Sequence, residues 1–434
     1  MLSQSCQSAQ SARFQEIRAF SESLAGHLSA EDATAQSMPD ASPAKWHLAH
    51  TTWFFETFIL LEQSVMDYQP FHVDFQFLFN SYYNSVGAQY NRSQRGLITR
   101  PGLTEVMQYR QFVNQAMLNW FDYLASTSDD VTAMIETVEV GLQHEQQHQE
   151  LLLTDIKHLL WHNPLFPVFT KSDKADMSDP CQITDLAWIT VEGGLCDIGY
   201  SGNDFAFDNE QPQHRQYLQP YQLANRLITN AEYLSFMQDG GYKSPDYWLS
   251  DGWTKVQQEQ WQAPLYWLKR DDQWFYYTLQ GLQPVDPGAP VTHISHYEAD
   301  AYATWAQQIW PGARLPTEFE WEHAANTSTL ADGCSTADQG YYQPQAQAAS
   351  DPGLLYQCYG DGWEWTSSAY LPYPGFSKNP GALGEYNGKF MSGQMVLRGG
   401  SCASSASHLR STYRNFFPPA TRWQFSALRL ARHS

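Results

Sequence analysis

Through roughly the first 165 residues, apolar positions recur every three to four residues, the period of helices with one buried face. The first helix is expected from Ser11 to Leu28. A second is expected to start at Ser42-Pro43, a capping serine followed by proline at the first helical position, and to run through KWHLAHTTWFFETFILLE. Thr104 can cap a third helix, TEVMQYRQFVNQAMLNWFDYLAS, and Asp130 a fourth that continues through HEQQHQELLLTDIKHLL. Four such helices suggest an antiparallel bundle. Between the second and third lies an aromatic connection from about Met66 to Arg100, and a loop that long in a compact domain usually has a function. The pattern changes near Pro164. Beyond a linker at 166–185, residues 186–434 are rich in glycine, proline, tryptophan and short β-type runs, with few long periodic helices, the clearest around Asn230–Met237 and Tyr297–Ile309. That half reads as α+β with much irregular structure.

The chain has 434 residues, more than one ordinary core accommodates. It carries 16 Trp, 25 Tyr and 23 Phe with only 16% charged residues, which excludes a disordered chain. A formal charge of -21 repels phosphate backbones and anionic lipid, so nucleic acid and membrane surfaces are not expected partners. There is neither a long apolar window nor a signal-peptide pattern at the start, which makes the expected location cytoplasmic. The six cysteines are scattered singly, so a metal would be held by histidine and carboxylate. The sequence says nothing of oligomeric state.

The sharpest motif is His144-Glu145-Gln146-Gln147-His148. Residues four apart share a helix face, so both imidazoles can bind one ion. A zinc hydrolase would use Glu145 as base and take a third ligand downstream. His158 and His162, ten and fourteen residues past His148, lie about 15 Å and 20 Å along the same helix and cannot reach. His47 and His50 on the second helix share a face, and either can complete a three-histidine site with positions open for substrates.

The succession SPAKWHLAHTTWFFE, NSYYN, RGLITRPG and HEQQHQELLLTDIKH resembles the DinB-like helical domain of the iron-dependent sulfoxide synthases of ergothioneine biosynthesis. The second half is similar to the formylglycine-generating-enzyme (sulfatase-modifying factor) fold, C-type-lectin-like in class, on EGGLCDIG, FDNEQPQH, RLPTEFEWEHAA, GDGWEWTSSAYLPYPGF and VLRGGSCASS. The resemblance implies an all-α DinB-like four-helix bundle at 1–165 and an α+β formylglycine-generating-enzyme-like domain at 186–434. It implies Fe(2+) on His50, His144 and His148, with His47 a neighbour. Hercynine (Nα-trimethylhistidine) would meet Gln147, Asn415 and Phe416, since a quaternary ammonium is received by aromatic faces and amide oxygens. Arg92, Arg95 and Arg422 would receive the carboxylate of the sulfur donor. Tyr82 and Tyr83 match the tyrosine pair of the cysteine-using branch, either of which can donate a proton during oxygen chemistry.

Two departures refine this. Family members that use γ-glutamylcysteine carry an aspartate where this chain has Phe417, which favours cysteine as donor. Formylglycine-generating enzymes need two cysteines near RGGS, and here only Cys402 is present. The expected activity is therefore O2-dependent joining of a thiol to the imidazole C2 of hercynine as a sulfoxide. The rivals are a selenoneine synthase taking a seleno-sugar and a non-catalytic betaine-binding protein with a structural metal.

Overall fold

A computed structural model describes residues 4–62, 67–126, 132–171, 184–379 and 382–434. The chain divides into two compact units, Met1–Pro164 with Pro380–Tyr386, and Leu165–Asn379 with Asn387–Ser434.

The first unit is helical. It contains α1 (Gln4–Ala25), α2 (Ala44–Phe55), a single turn α3 (Phe75–Leu78), α4 (Leu103–Ser126) and α5 (Thr132–Trp161). α1 starts before the expected Ser11, and the expected cap at Asp130 lies outside the described residues. Ser42 does not cap α2. Its N–H donates to Asp155 Oδ2 at 2.8 Å and its Oγ accepts from Arg95, so the serine ties the helix entry to α5 and to the loop. Every residue of α2 is buried, which makes it the central helix. It continues through Glu56–Leu60 as a wider turn closed by Leu61 N–H on Glu56 O at 2.9 Å. α5 approaches α2 closely at Gly141, where a Cβ would stand 2.7 Å from Phe55 Cε1. The glycine therefore sets how near the two helices come.

The polar specification of this unit is an ion network. Glu145 on α5 accepts from Arg18 of α1 at 2.8 Å, from Arg110 of α4 at 2.8 Å and from Ser21 of α1 at 2.6 Å. Arg110 also donates to Leu48 O of α2. Burial alone would raise the Glu145 pKa, but the two guanidiniums and the hydrogen bonds override it and hold the carboxyl down at about 2.

The second unit mixes helix and sheet. Its strands are β1 (Trp188–Val191), β2 (Gly194–Ile198), β3 (His214–Leu218), β4 (Tyr221–Ala224), β5 (Trp267–Arg270), β6 (Gln273–Thr278), β7 (Gly281–Pro284), β8 (Trp363–Ala369), β9 (Met395–Arg398), β10 (Asn415–Phe417), β11 (Ser426–Ala427) and β12 (Ala431–His433). They pair as β1-β4-β12, β10-β9-β8-β11, β2-β3 and β5-β6-β7; β11 runs parallel to β8, and the other named pairs are antiparallel. The helices α6 (Asn230–Gln238) and α8 (His296–Ala306) stand where the sequence places them, each opened by a reciprocal capping box, Thr229 with Glu232 and Ser295 with Glu298. Two further helices, α7 (Ser250–Glu259) and α9 (Glu318–Thr327), lie beyond the two clearest in the sequence, and Thr317 and Glu320 form the same box at the start of α9. Trp321 of α9 sits in a core with Val191, Leu218, Tyr221 and Leu223. The RGGS glycines are required by geometry, since Gly399 has φ +97 and a Cβ there would lie 2.6 Å from Cys358 O. Among the described residues, no helix is long and apolar enough to cross a membrane.

Candidate metal centre

α2 and α5 bring three histidines together. His50, His144 and His148 each offer a ring nitrogen, and these atoms lie within 4.8 Å of one another. All three residues are buried. The i, i+4 pair comes from the helical period of α5, and the third comes from α2 at the level where Gly141 lets the helices close up.

Their protonation suits a cation. Burial pushes the His144 imidazole down to about 3, and burial followed by neighbouring imidazoles lowers His50 and His148 as well, so the lone pairs are available. His50 Nδ1 donates to Phe79 O at 2.6 Å, which leaves Nε2 as the free lone pair. Among the described residues, His50 Nε2 and both His144 nitrogens are buried with no hydrogen-bond partner. Orphaned imidazole nitrogens facing one point are costly unless something fills it, so the donor set fits a metal ion. Trp46 stacks on His50 at 4.5 Å with an interplanar angle of 15°, and Phe54 covers His144 at 5.0 Å.

Glu145 is turned away into the Arg18–Arg110 network. Both its oxygens are occupied, which removes it as the base of a hydrolytic site. His47, the alternative third ligand, is instead engaged with His148 and Asp155, at 2.8 Å and 3.0 Å.

The long loop presents the tyrosines. Asn80 folds it by accepting from Tyr83 N–H and donating to Tyr83 O and Gly87 O. Tyr82 and Tyr83 have ring centroids 4.8 Å apart, and Tyr83 packs on Trp53 at 5.6 Å. Burial raises both phenol pKa values above the ordinary tyrosine value, so each carries its proton at neutral pH.

The arginines differ. Arg92 is exposed and donates to Asp40 O. Arg95 is buried, lies 3.3 Å over the Trp46 ring, and donates to the Ser42 and Ser81 hydroxyls at 2.9 Å and 3.1 Å, while its Nε has no partner. No carboxylate is within ion-pair distance of Arg95 among the described residues. Arg422, in the second unit, pairs with Glu298 at 2.8 Å and lies over Trp261. Also in that unit, β10 carries Asn415 and Phe416; Phe416 stacks on Tyr370 at 4.0 Å and 10°, and Asn415 Oδ1 accepts from Phe416 N–H.

One residue escaped sequence reasoning. Tyr386, in the segment that joins the helical unit, has its ring 5.6 Å from His144 and 6.0 Å from Tyr82, and its hydroxyl donates to Gln147 Oε1. It lies 239 residues from Gln147 in an irregular stretch, where no periodicity could signal it. Its neighbour Glu385 accepts from the N–H groups of Asn84 and Ser85, tying the segment to the tyrosine loop.

Residues 174–434 match the family described as "Sulfatase-modifying factor enzyme 1-like domain". The "Hercynine oxygenase" of Mycolicibacterium thermoresistibile is 32% identical over 359 residues, covering 75% of this chain and 74% of that protein. The chain belongs to the hercynine oxygenase family. The family's Mycobacterium tuberculosis "Hercynine oxygenase" is 30% identical over 71% of this chain and 74% of its own length. "Ergothioneine biosynthesis protein 1" of Schizosaccharomyces pombe is 27% identical over 53% of this chain and 28% of its own length.

Proposed function

We propose that the chain is an iron(II)-dependent sulfoxide synthase of ergothioneine biosynthesis that joins the sulfur of cysteine to the imidazole C2 of hercynine with O2. It is an oxygen-dependent oxidoreductase. The reaction balances with one oxygen atom in the sulfoxide and the other in water, which takes the hydrogens lost from the thiol and from C2. The observation that carries the reading is the cluster of His50, His144 and His148 with its buried, unpartnered nitrogens. When bound there, iron supplies the oxidation chemistry and one place where thiolate, imidazole and O2 meet.

The chain's own residues bind and orient. Among the described residues the buried Arg95 guanidinium donates to hydroxyls and stacks on Trp46 without a carboxylate partner, so an incoming carboxylate gains a charge-assisted hydrogen bond there. We therefore assign Arg95 as the principal anchor of the cysteine carboxylate, with Arg92 and Arg422 as the further candidates. Gln147, held by Tyr386, orients hercynine, with Asn415 and Phe416 assigned to the same substrate on the resemblance. Tyr83, buried, and Tyr82, half-buried, are both protonated and stand beside the histidine helices, where they supply or hold a proton. The helical unit is read as the DinB-like metal-carrying domain, and the site of action as the cytoplasm.

The test is anaerobic iron loading followed by mass spectrometry of products from hercynine with cysteine, γ-glutamylcysteine or a seleno-sugar supplied separately. Sulfoxide formed best from cysteine is expected. Preference for γ-glutamylcysteine or the seleno-sugar would overturn the donor, and a metal-bound protein inert to O2 would leave a binding protein.

A further inference from the structure

We infer that His47 and Asp155 are positioning residues for His148, forming a side-chain relay that fixes which nitrogen of His148 faces the metal; the inference rests on the metal centre proposed above. Neither residue belongs to the ligand cluster. Both are buried, and each stands in register with it: His47 is three residues before His50 on α2, and Asp155 is seven residues after His148 on α5, two turns along the same face.

The direction of the relay follows from donor and acceptor capacity. Asp155 Oδ2 lies 3.0 Å from His47 Nε2, and a carboxylate only accepts, so Nε2 of His47 carries the hydrogen. A neutral imidazole has one N–H, which leaves His47 Nδ1 as an acceptor. With His47 in that tautomer, the 2.8 Å contact between His47 Nδ1 and His148 Nδ1 is made by His148 Nδ1 donating, which is the direction the relay requires. The one lone pair left on His148 is then Nε2, as Nε2 is on His50. Both ligands thus have their tautomer set through Nδ1, one by the backbone carbonyl of Phe79 and the other by a neighbouring side chain.

Asp155 is itself fixed. Its Oδ2 also accepts the Ser42 N–H at 2.8 Å, and Ser42 Oγ accepts from Arg95. The relay is therefore anchored where α2 begins, and a ring on α2 holds a ligand on α5. Outer partners of this kind typically matter by about tenfold to a hundredfold in metal affinity.

The experiment measures Fe(II) dissociation constants anaerobically, by chelator competition, for the full-length wild type, His47→Leu, His47→Gln and His148→Ala. The absorption spectrum of the Co(II)-loaded forms is the second readout, and melting of the metal-free forms controls for folding. His47→Leu is expected to weaken binding by about tenfold to a hundredfold and to alter the Co(II) spectrum. His47→Gln should stay within about threefold of wild type, because its amide oxygen can accept from His148 and its NH2 can donate to Asp155. A merely structural histidine would lower the melting temperature without this split between leucine and glutamine. If His47→Leu does not fold, His47→Met takes its place. Wild-type affinity in the apolar variant, or equal weakness in His47→Gln, overturns the relay while leaving the centre intact. Undiminished binding by His148→Ala instead overturns the centre itself.

Discussion

Glu145→Gln separates an oxygenase centre from a hydrolytic one by stability rather than by activity. In the structure Glu145 is the only carboxylate within ion-pair distance of Arg18 and one of two beside Arg110 among the described residues. Its pKa falls from an ordinary value of about 4.3 to about 2, which by linkage corresponds to roughly 3 kcal/mol of stability at neutral pH. Removing one partner of a buried ion pair independently suggests about 3–5 kcal/mol. The first route predicts a melting temperature lower by about 6–12 °C for a unit of this size, and the second by about 6–20 °C. The folded-state pKa is depressed, so this contribution is fully present above the unfolded-state value and is lost as pH falls towards 2. The gap between wild type and variant should therefore close as the pH is lowered. Calorimetry of the metal-free protein measures it, with iron binding by the folded variant expected near wild type. A variant as stable as wild type, or one that is folded but unable to bind metal, would refute the network reading and restore Glu145 to the metal site.

Alanine at His50, His144 or His148 should remove most bound iron and essentially all turnover, read by metal analysis and O2 uptake. Arg95→Ala should raise the apparent KM for cysteine by about tenfold to a hundredfold, as for a lost charged hydrogen bond, with hercynine binding little changed in titration calorimetry. Gly141→Ala should cost about 1–3 kcal/mol of stability by pressing on Phe54 and Phe55, and should weaken metal binding by parting α2 from α5. The Tyr82→Phe, Tyr83→Phe double variant should divert product from sulfoxide towards cysteine sulfinic acid with O2 uptake reduced less than sulfoxide; an unchanged product ratio and rate would make the pair a packing element only.

What the sequence could reveal depended on period and spacing. The i, i+4 histidines, the helices α6 and α8 and the four main helices of the first unit rest on local signals, and they stand close to where the chain predicts them. Ser42 misled because Ser-Pro is a common helix start, whereas here Asp155 and Arg95 compete for the serine's polar groups. The partners of Glu145 were invisible. Arg18 and Arg110 are 127 and 35 residues away, and nothing local distinguishes a guanidinium that will be buried from one that will be solvated. The same holds for Tyr386 and for the difference between buried Arg95 and exposed Arg92, three residues apart in one short helical turn.

The position of Glu145 directly after His144 has a consequence for the centre. Successive residues of an α-helix point about 100° apart, so a single helix can hold its histidines against α2 while sending the intervening carboxylate to α1 and α4. α5 does this, and the same rotation about its axis that satisfies Arg18 and Arg110 also sets where His144 and His148 aim. A sliding or turning of α5 would leave charges unpaired in a dry interior, a cost of several kcal/mol that apolar packing alone does not impose on a helix with many near-equivalent apolar contacts. The ion network thus sets the register of His144 and His148. Its value lies in the registers it excludes, and glutamine, which keeps an acceptor oxygen for one of the guanidiniums, is expected to lower stability while leaving α5 and its histidines in place.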